Sequence, residues 1–157
     1  MKIRTDFVTN SSSSSFVLVF KNEAEMEKCM RDIGQRYGKK YEEVVTRDVQ
    51  RGKRNRAGIR RCFEKYYNRE AIYKYVYGSK EFKEHTKTTG ELREMPEIRN
   101  AIKEYKITKT ERAMKNIPYK AFYTEVKYAD DNGPFYSELE HNIIPSLPAT
   151  VLVISNH

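Results

Sequence analysis

Glu140 and His141 stand side by side, with Ser137 four positions before His141 and Asp130 and Asp131 in the preceding turn. Histidine titrates near neutrality, and a neighbouring carboxylate can orient its ring for proton transfer. On a helix, Ser137 and His141 would share a face within hydrogen-bonding reach, a loose nucleophile-and-base spacing with no third residue identified to orient the imidazole. Ser137, Glu140, His141 and His157 therefore form the candidate catalytic set. Asp130, Asp131, Glu140, His141 and His157 could also supply metal ligands. The chain has neither HExxH nor paired CxxC motifs, however, so the spacing specifies no metal and no cofactor. A structural use of the same residues is that His141 and His157 tie the C-terminal segment to a sheet or to a serine turn by hydrogen bonds.

A second constellation is electrostatic. The segment RDVQRGKRNRAGIRR carries Arg47, Arg51, Lys53, Arg54, Arg56, Arg60 and Arg61 against Asp48, a net of +6 in fifteen residues. Arginine's planar fork makes paired hydrogen bonds to phosphate, and such a run attracts polyanions by releasing their counterions. Tyr66, Tyr67, Tyr73, Tyr75 and Tyr77 follow, and exposed tyrosines stack on bases. Tyr66 and Tyr73 are expected in the core, and of the others Tyr67 and Tyr75 are taken as the candidate contacts. The competing reading of the basic run is a solvated face partly paired with Glu42, Glu43 and Glu64. No zinc-finger spacing and no RNP-type aromatic motif is present.

The tract Ser11–Ser15 is expected to be a turn between two strands, because serine and Asn10 side chains compete for local backbone groups. Anion binding by its backbone amides, or phosphorylation of its hydroxyls, are the sharper alternatives. With no GxxxxGK[ST] motif, ordinary nucleotide hydrolysis is not expected.

The composition bounds these readings. The chain has 157 residues and two cysteines, with 38% apolar and 33% charged content, and the charged share is above the usual quarter. Twelve Tyr and seven Phe supply enough apolar bulk to argue against wholesale disorder. One domain over 1–157 is the expectation. No apolar run approaches the ~18 residues of a membrane span, so no membrane partner is expected. The opening MKIRTDF lacks the apolar region of a signal peptide, and Cys29 and Cys62 are too few for a disulfide framework, so a cytoplasmic location is expected. Both cysteines fall on apolar helical stripes and read as small buried hydrophobes. Charge is unevenly distributed: residues 121–157 net −4, so the other 120 net +12.

The elements that must position these groups follow from periodicity. KIRTDFV alternates like a half-buried strand, and SFVLVF is a continuous apolar run suited to a central strand, giving a hairpin over 1–20. Asn22 and Glu25 cap a helix over 22–38 whose stripe is Met26, Cys29, Met30, Ile33 and Tyr37, stopped by Gly38. Residues 41–116 read as a largely helical basic middle. A helix over 41–50 buries one side through Val44, Val45 and Val49. Gly52 and Gly58 bracket the most basic turn. Ile59, Cys62, Phe63 and Tyr66 give the next helical face, while Tyr73, Tyr75 and Tyr77 alternate in a way that suits a strand as well as a helix. Residues 80–94 are expected to be exposed. Pro96 starts another helix, and Thr108 with Glu111 is expected to cap a separate short one ending at Asn116. Over 120–157 the pattern is strand, turn at ADDNGP, short helix and last strand TVLVIS. The fold expected is α+β: a small sheet from the N-terminal hairpin and the C-terminal strands, with helices between.

Two segments carry a resemblance. The opening, with Phe7, Val8, Thr9, Asn10, Ser11 to Ser15 and Phe16, resembles that of a diffuse group of small bacteriophage and bacterial proteins with no established activity. The ending, with Asp130, Asp131, Gly133, Ser137, Leu139, Glu140, His141, Ser155 and His157, is similar to the one many of that group share. Asp6 stands where that group commonly has Gly, and Asn156 where it often has a second His, so a role for paired terminal histidines is not implied. The resemblance covers about 17 residues at the start and 30 at the end, and implies phage-related provenance and a shared frame around a variable middle.

The functional expectation is a small basic binding protein that engages nucleic acid, a host nucleoprotein complex or an acidic protein surface, with an anti-defence role compatible with the resemblance. The alternatives are a metal-dependent or His/Glu hydrolase built on Glu140, His141 and His157, and a protein–protein inhibitor using a Tyr-rich surface. No reaction is named by the sequence, and binding is favoured over catalysis.

Overall fold

The computed structural model describes residues 13–50 and 55–155. The fold is α+β. Strand β1 (Ser13–Phe20) leads into α1 (Glu23–Tyr37), α2 (Lys39–Val49) and α3 (Arg56–Ile72), which runs into a π-helical turn (Tyr73–Tyr77). Short helices α4 (Lys80–Lys83) and α5 (Thr89–Glu94) precede the long α6 (Pro96–Lys115). Strand β2 (Phe122–Ala129), a 3-10 turn (Asp130–Asn132), α7 (Pro134–Glu138), a second π-helical turn (Leu139–Ile143), a 3-10 turn (Ile144–Ser146) and β3 (Thr150–Ser155) complete the described chain. These elements cluster as two compact units: one from the residues up to 59 together with those from 118 onward, the other from 60–117, the boundary falling inside α3.

In the first unit β1 is the central strand of an antiparallel sheet ordered β2-β1-β3. Its continuous apolar run is explained by burial on both sides: Phe16, Leu18 and Phe20 on one face and Val17 and Val19 on the other are all buried. The first face, joined by Phe122, Val126, Tyr128, Val151 and Val153, packs against Met26, Cys29, Met30 and Ile33 of α1 and Val45 and Val49 of α2. Leu139, Ile143 and Ile144 close that core. Asn22 caps α1 by accepting from the Glu25 amide at 2.8 Å, and Gly38, at φ +118°, makes the break into α2 that a side chain would strain.

The serine tract is a correction. Ser13, Ser14 and Ser15 are not a turn but the first rungs of β1, opposite Ala129, Tyr128 and Lys127 of β2. Strand pairing on both sides supplies the backbone bonds that a local serine turn would otherwise offer, so tertiary pairing overrides propensity. Ser11 and Ser12, and the first strand expected over residues 2–8, lie outside the described residues.

In the second unit Phe63, Tyr66, Tyr67, Ala71, Val76, Leu92 and Met114 are buried. The Tyr66 and Tyr67 rings meet edge-on at 5.2 Å, and the Tyr105 hydroxyl donates to Glu70. Tyr73–Tyr77 is helical with π spacing, so the alternation of its tyrosines does not signal a strand. Thr108 caps nothing: α6 continues unbroken to Lys115, with Thr110 and Met114 buried, because no Gly or Pro interrupts the stretch and burial of the last turns holds it helical. The real capping box is at Thr88, which accepts from the Glu91 amide while Glu91 accepts from its own. Between α4 and α5, residues 84–88 are exposed as expected, but Leu92 is fully buried.

Candidate functional site

The end of β2 and the chain that follows it gather the first chemical constellation. Asp130 opens the 3-10 turn immediately after the strand, Gly133 reverses the chain at φ +113°, and α7 passes into the π-helical turn that carries Glu140 and His141. A π turn bonds i to i+5, and such turns occur frequently at functional sites. Here it sends two adjacent side chains to one place. Glu140 is 2% exposed, and the Ser14 hydroxyl, on the core face of the central strand, donates to its Oε1 at 2.9 Å. His141 Nε2 lies 3.6 Å from Glu140 Oε2 and 3.5 Å from Asp130 Oδ2. Asp130, Glu140 and His141 each offer one ligand atom, and the three atoms lie within 4.8 Å of one another. Asp131 is exposed and stands outside this group, and His157 lies outside the described residues. Ser137 sits half-buried in α7, its amide bonded to the Gly133 carbonyl, while the His141 ring nitrogen faces the two carboxylates. The helical face expected for Ser137 and His141 is disrupted by the π turn between them, so the loose nucleophile-and-base spacing does not become a nucleophile–base pair.

Of the basic segment, Arg47, Arg56, Arg60 and Arg61 lie among the described residues. Arg51, Lys53 and Arg54 fall outside the described residues. Arg47 is exposed on α2 and lies 3.6 Å from Asp48, whose other oxygen accepts from the Tyr128 hydroxyl at 2.8 Å. Arg60 pairs with Glu111, and Arg61 is exposed. Arg56, at the start of α3, lines a pocket of about 690 Å³ together with Asn22, Tyr119 and Lys120. Tyr119 is 94% exposed there.

The tyrosines sort differently from expectation. Tyr67 is buried, against Phe63 and Tyr66, so it is not a contact residue. Tyr73, expected in the core, is among the exposed large side chains. Tyr67 lies in α3 four residues after Phe63, on the same buried helical face, whereas Tyr73 opens a π-helical turn whose i to i+5 spacing changes which side chains share a face. Tyr75 is half-buried, edge-on to Tyr105, with the Lys74 ammonium over both rings. Cys29 and Cys62 are buried and form no disulfide, and burial, with Glu25 and Asp32 adding to it, pushes the Cys29 thiol up to about 11.

One feature of the helical unit was missed by reading the sequence. Arg93, Arg99, Lys103 and Lys106 line a pocket of about 730 Å³ with Asn68, Asn100 and a single anion, Glu94. Among the described residues none of those four cations takes part in an ion pair. Arg99, Lys103 and Lys106 form an i, i+4, i+7 stripe about 10 Å long on α6, which was visible in the sequence. Arg93 and Asn68 arrive from α5 and α3, and no local pattern announces them. The helical unit carries 15 cations and 9 anions, a net of +6, so the charge of the chain is concentrated there as well as in the Arg47–Arg61 run.

No known family model, no curated protein and no solved structure matches this chain. No helix among the described residues is long and apolar enough to cross a membrane.

Proposed function

We propose that this chain is a nucleic-acid-binding protein whose helical unit takes hold of the phosphate backbone. The observation that carries the reading is the pocket lined by Arg93, Arg99, Lys103 and Lys106, four cations facing one anion and engaged in no ion pair with a described residue. Uncompensated cations on a concave surface concentrate field and recruit a polyanion in exchange for its counterions. The two arginines add paired hydrogen bonds to phosphate, and the Asn68 and Asn100 amides can donate to phosphate or base edges. Tyr119, standing free beside Arg56 and Lys120 in the sheet unit, supplies a surface on which an unpaired base can stack, which favours single-stranded over duplex targets. The resemblance of the chain's two ends to phage and bacterial small proteins is compatible with a host nucleoprotein complex as the target and with an anti-defence role.

The test is fluorescence anisotropy with a labelled single-stranded oligonucleotide across a salt series. Binding should weaken linearly in log–log form, and Arg99→Gln with Lys103→Gln should reduce the slope by about 0.7 for each cation removed. An unchanged slope and affinity would remove the reading. Capture of a protein partner that survives nuclease treatment, with no oligonucleotide binding, would replace it with docking on an acidic protein surface.

A further inference from the structure

We infer that Asp130, Glu140 and His141 form a binding site for a divalent transition-metal ion, of the class of Zn²⁺ or Mn²⁺. The separations are the first argument. His141 Nε2 stands 3.5 Å from Asp130 Oδ2 and 3.6 Å from Glu140 Oε2. Both exceed the 2.7–3.2 Å usual for N–H···O hydrogen bonds and lie in the range of long His–carboxylate contacts. They match two ligands sharing one ion: bonds of about 2.0–2.1 Å at tetrahedral angles place neighbouring ligand atoms about 3.3–3.4 Å apart. A small closure of side chains would seat an ion between three atoms already within 4.8 Å of one another.

Burial is the second argument. Glu140 is 2% exposed, and Ser14 and His141 are among the partners that hold its carboxylate in place. Ser14 donates to Oε1 and so fixes the carboxylate with Oε2 turned to His141, the arrangement in which an outer hydrogen bond orients a ligand. The donor comes from the central strand, so the orientation rests on an element paired on both sides in the sheet unit. The other two groups are accessible: the side chains of His141 and Asp130 are 35% and 34% exposed, leaving a route for an ion to enter and coordination positions turned to solvent. Imidazole with two carboxylates suits Zn²⁺ and Mn²⁺, whereas Mg²⁺ and Ca²⁺ prefer oxygen alone. Three protein ligands with an open position is the pattern of sites that bind water or substrate, in contrast to closed four-ligand structural zinc.

The experiment is calorimetric titration of chelator-treated, folded protein with ZnCl₂, MnCl₂ and MgCl₂, with thermal melts in parallel. One Zn²⁺ or Mn²⁺ per chain is expected, bound more tightly than Mg²⁺ and raising the melting temperature, since an ion that binds only the folded chain stabilises it. His141→Ala and Asp130→Asn, both at partly exposed positions, should fold and weaken binding by about 100-fold or more, and Ser14→Ala by about tenfold. No saturable one-to-one binding of either ion by the folded protein would overturn the site. So would binding, or an ion-dependent rise in melting temperature, that persists undiminished in His141→Ala.

Discussion

The ring of Tyr123 occupies the space in which any side chain on Gly58 would have to sit: a β-carbon there would lie 2.5 Å from the phenol oxygen and 2.7 Å from Cε1. Gly58 is in the first turn of α3, where its amide donates to the Asn55 side chain at 3.1 Å, and Tyr123 is on β2. A helix interior ordinarily prefers alanine to glycine by about 1 kcal/mol. Here the aromatic ring, carried on a paired strand, would have to give way, and overpacking of that kind costs about 1–3 kcal/mol. Gly58→Ala should therefore lower stability by about 1–2 kcal/mol in urea denaturation, and Tyr123→Ala in the same chain should recover part of the loss. A Gly58→Ala protein as stable as the parent would show that the ring moves aside freely.

Tyr128 sets a pH dependence. Its ring lies in the sheet core, and its hydroxyl donates to Asp48 at 2.8 Å. Burial first, and then that hydrogen bond to a carboxylate, hold the phenol well above the usual tyrosine range. The folded chain thus keeps this proton more tightly than the unfolded chain does. The contribution to stability is complete below the unfolded value of about 10 and is lost as pH rises beyond it. Tyr128→Phe should cost about 1 kcal/mol at pH 7. The gap between the two proteins should narrow between pH 10 and 11, as the parent alone loses this contribution. Urea midpoints of both proteins at pH 7, 9 and 10.5 measure it, and a gap that does not change with pH would refute the assignment.

Much of the frame was legible in the sequence because local signals and tertiary packing agree there. Asn22 with Glu25 starts α1, its apolar stripe meets the sheet, and the unbroken FVLVF run becomes a central strand buried on both sides. Where they disagree, the reading failed. Serines favour turns, yet Ser13–Ser15 pair in β1, and Thr108 with Glu111 has the spacing of a cap inside a helix that never breaks. The candidate residues Asp130, Glu140 and His141 could be picked out by type. Their convergence could not, because it depends on a π turn that changes which side chains share a face and on a serine 126 positions away. The four-cation pocket is hidden for a related reason: one stripe is local to α6, and the rest is brought to it by folding.

Tyr119 separates stacking from electrostatics. At 94% exposure it contributes no packing, so Tyr119→Ala should leave the urea midpoint unchanged. Stacking of a base on an aromatic ring is worth about 1–3 kcal/mol, so the same substitution should weaken single-stranded oligonucleotide binding by roughly five-fold to more than a hundred-fold, with Tyr119→Phe close to the parent. The salt slope should not move, because no charge has been removed. Neutralising Arg99 and Lys103 should do the opposite, flattening the slope while a preference for unpaired bases persists. Anisotropy with single-stranded and duplex oligonucleotides of one sequence resolves the two effects. If Tyr119→Ala binds the single strand as tightly as the parent, the tyrosine is a bystander, and the contact rests on the cations alone.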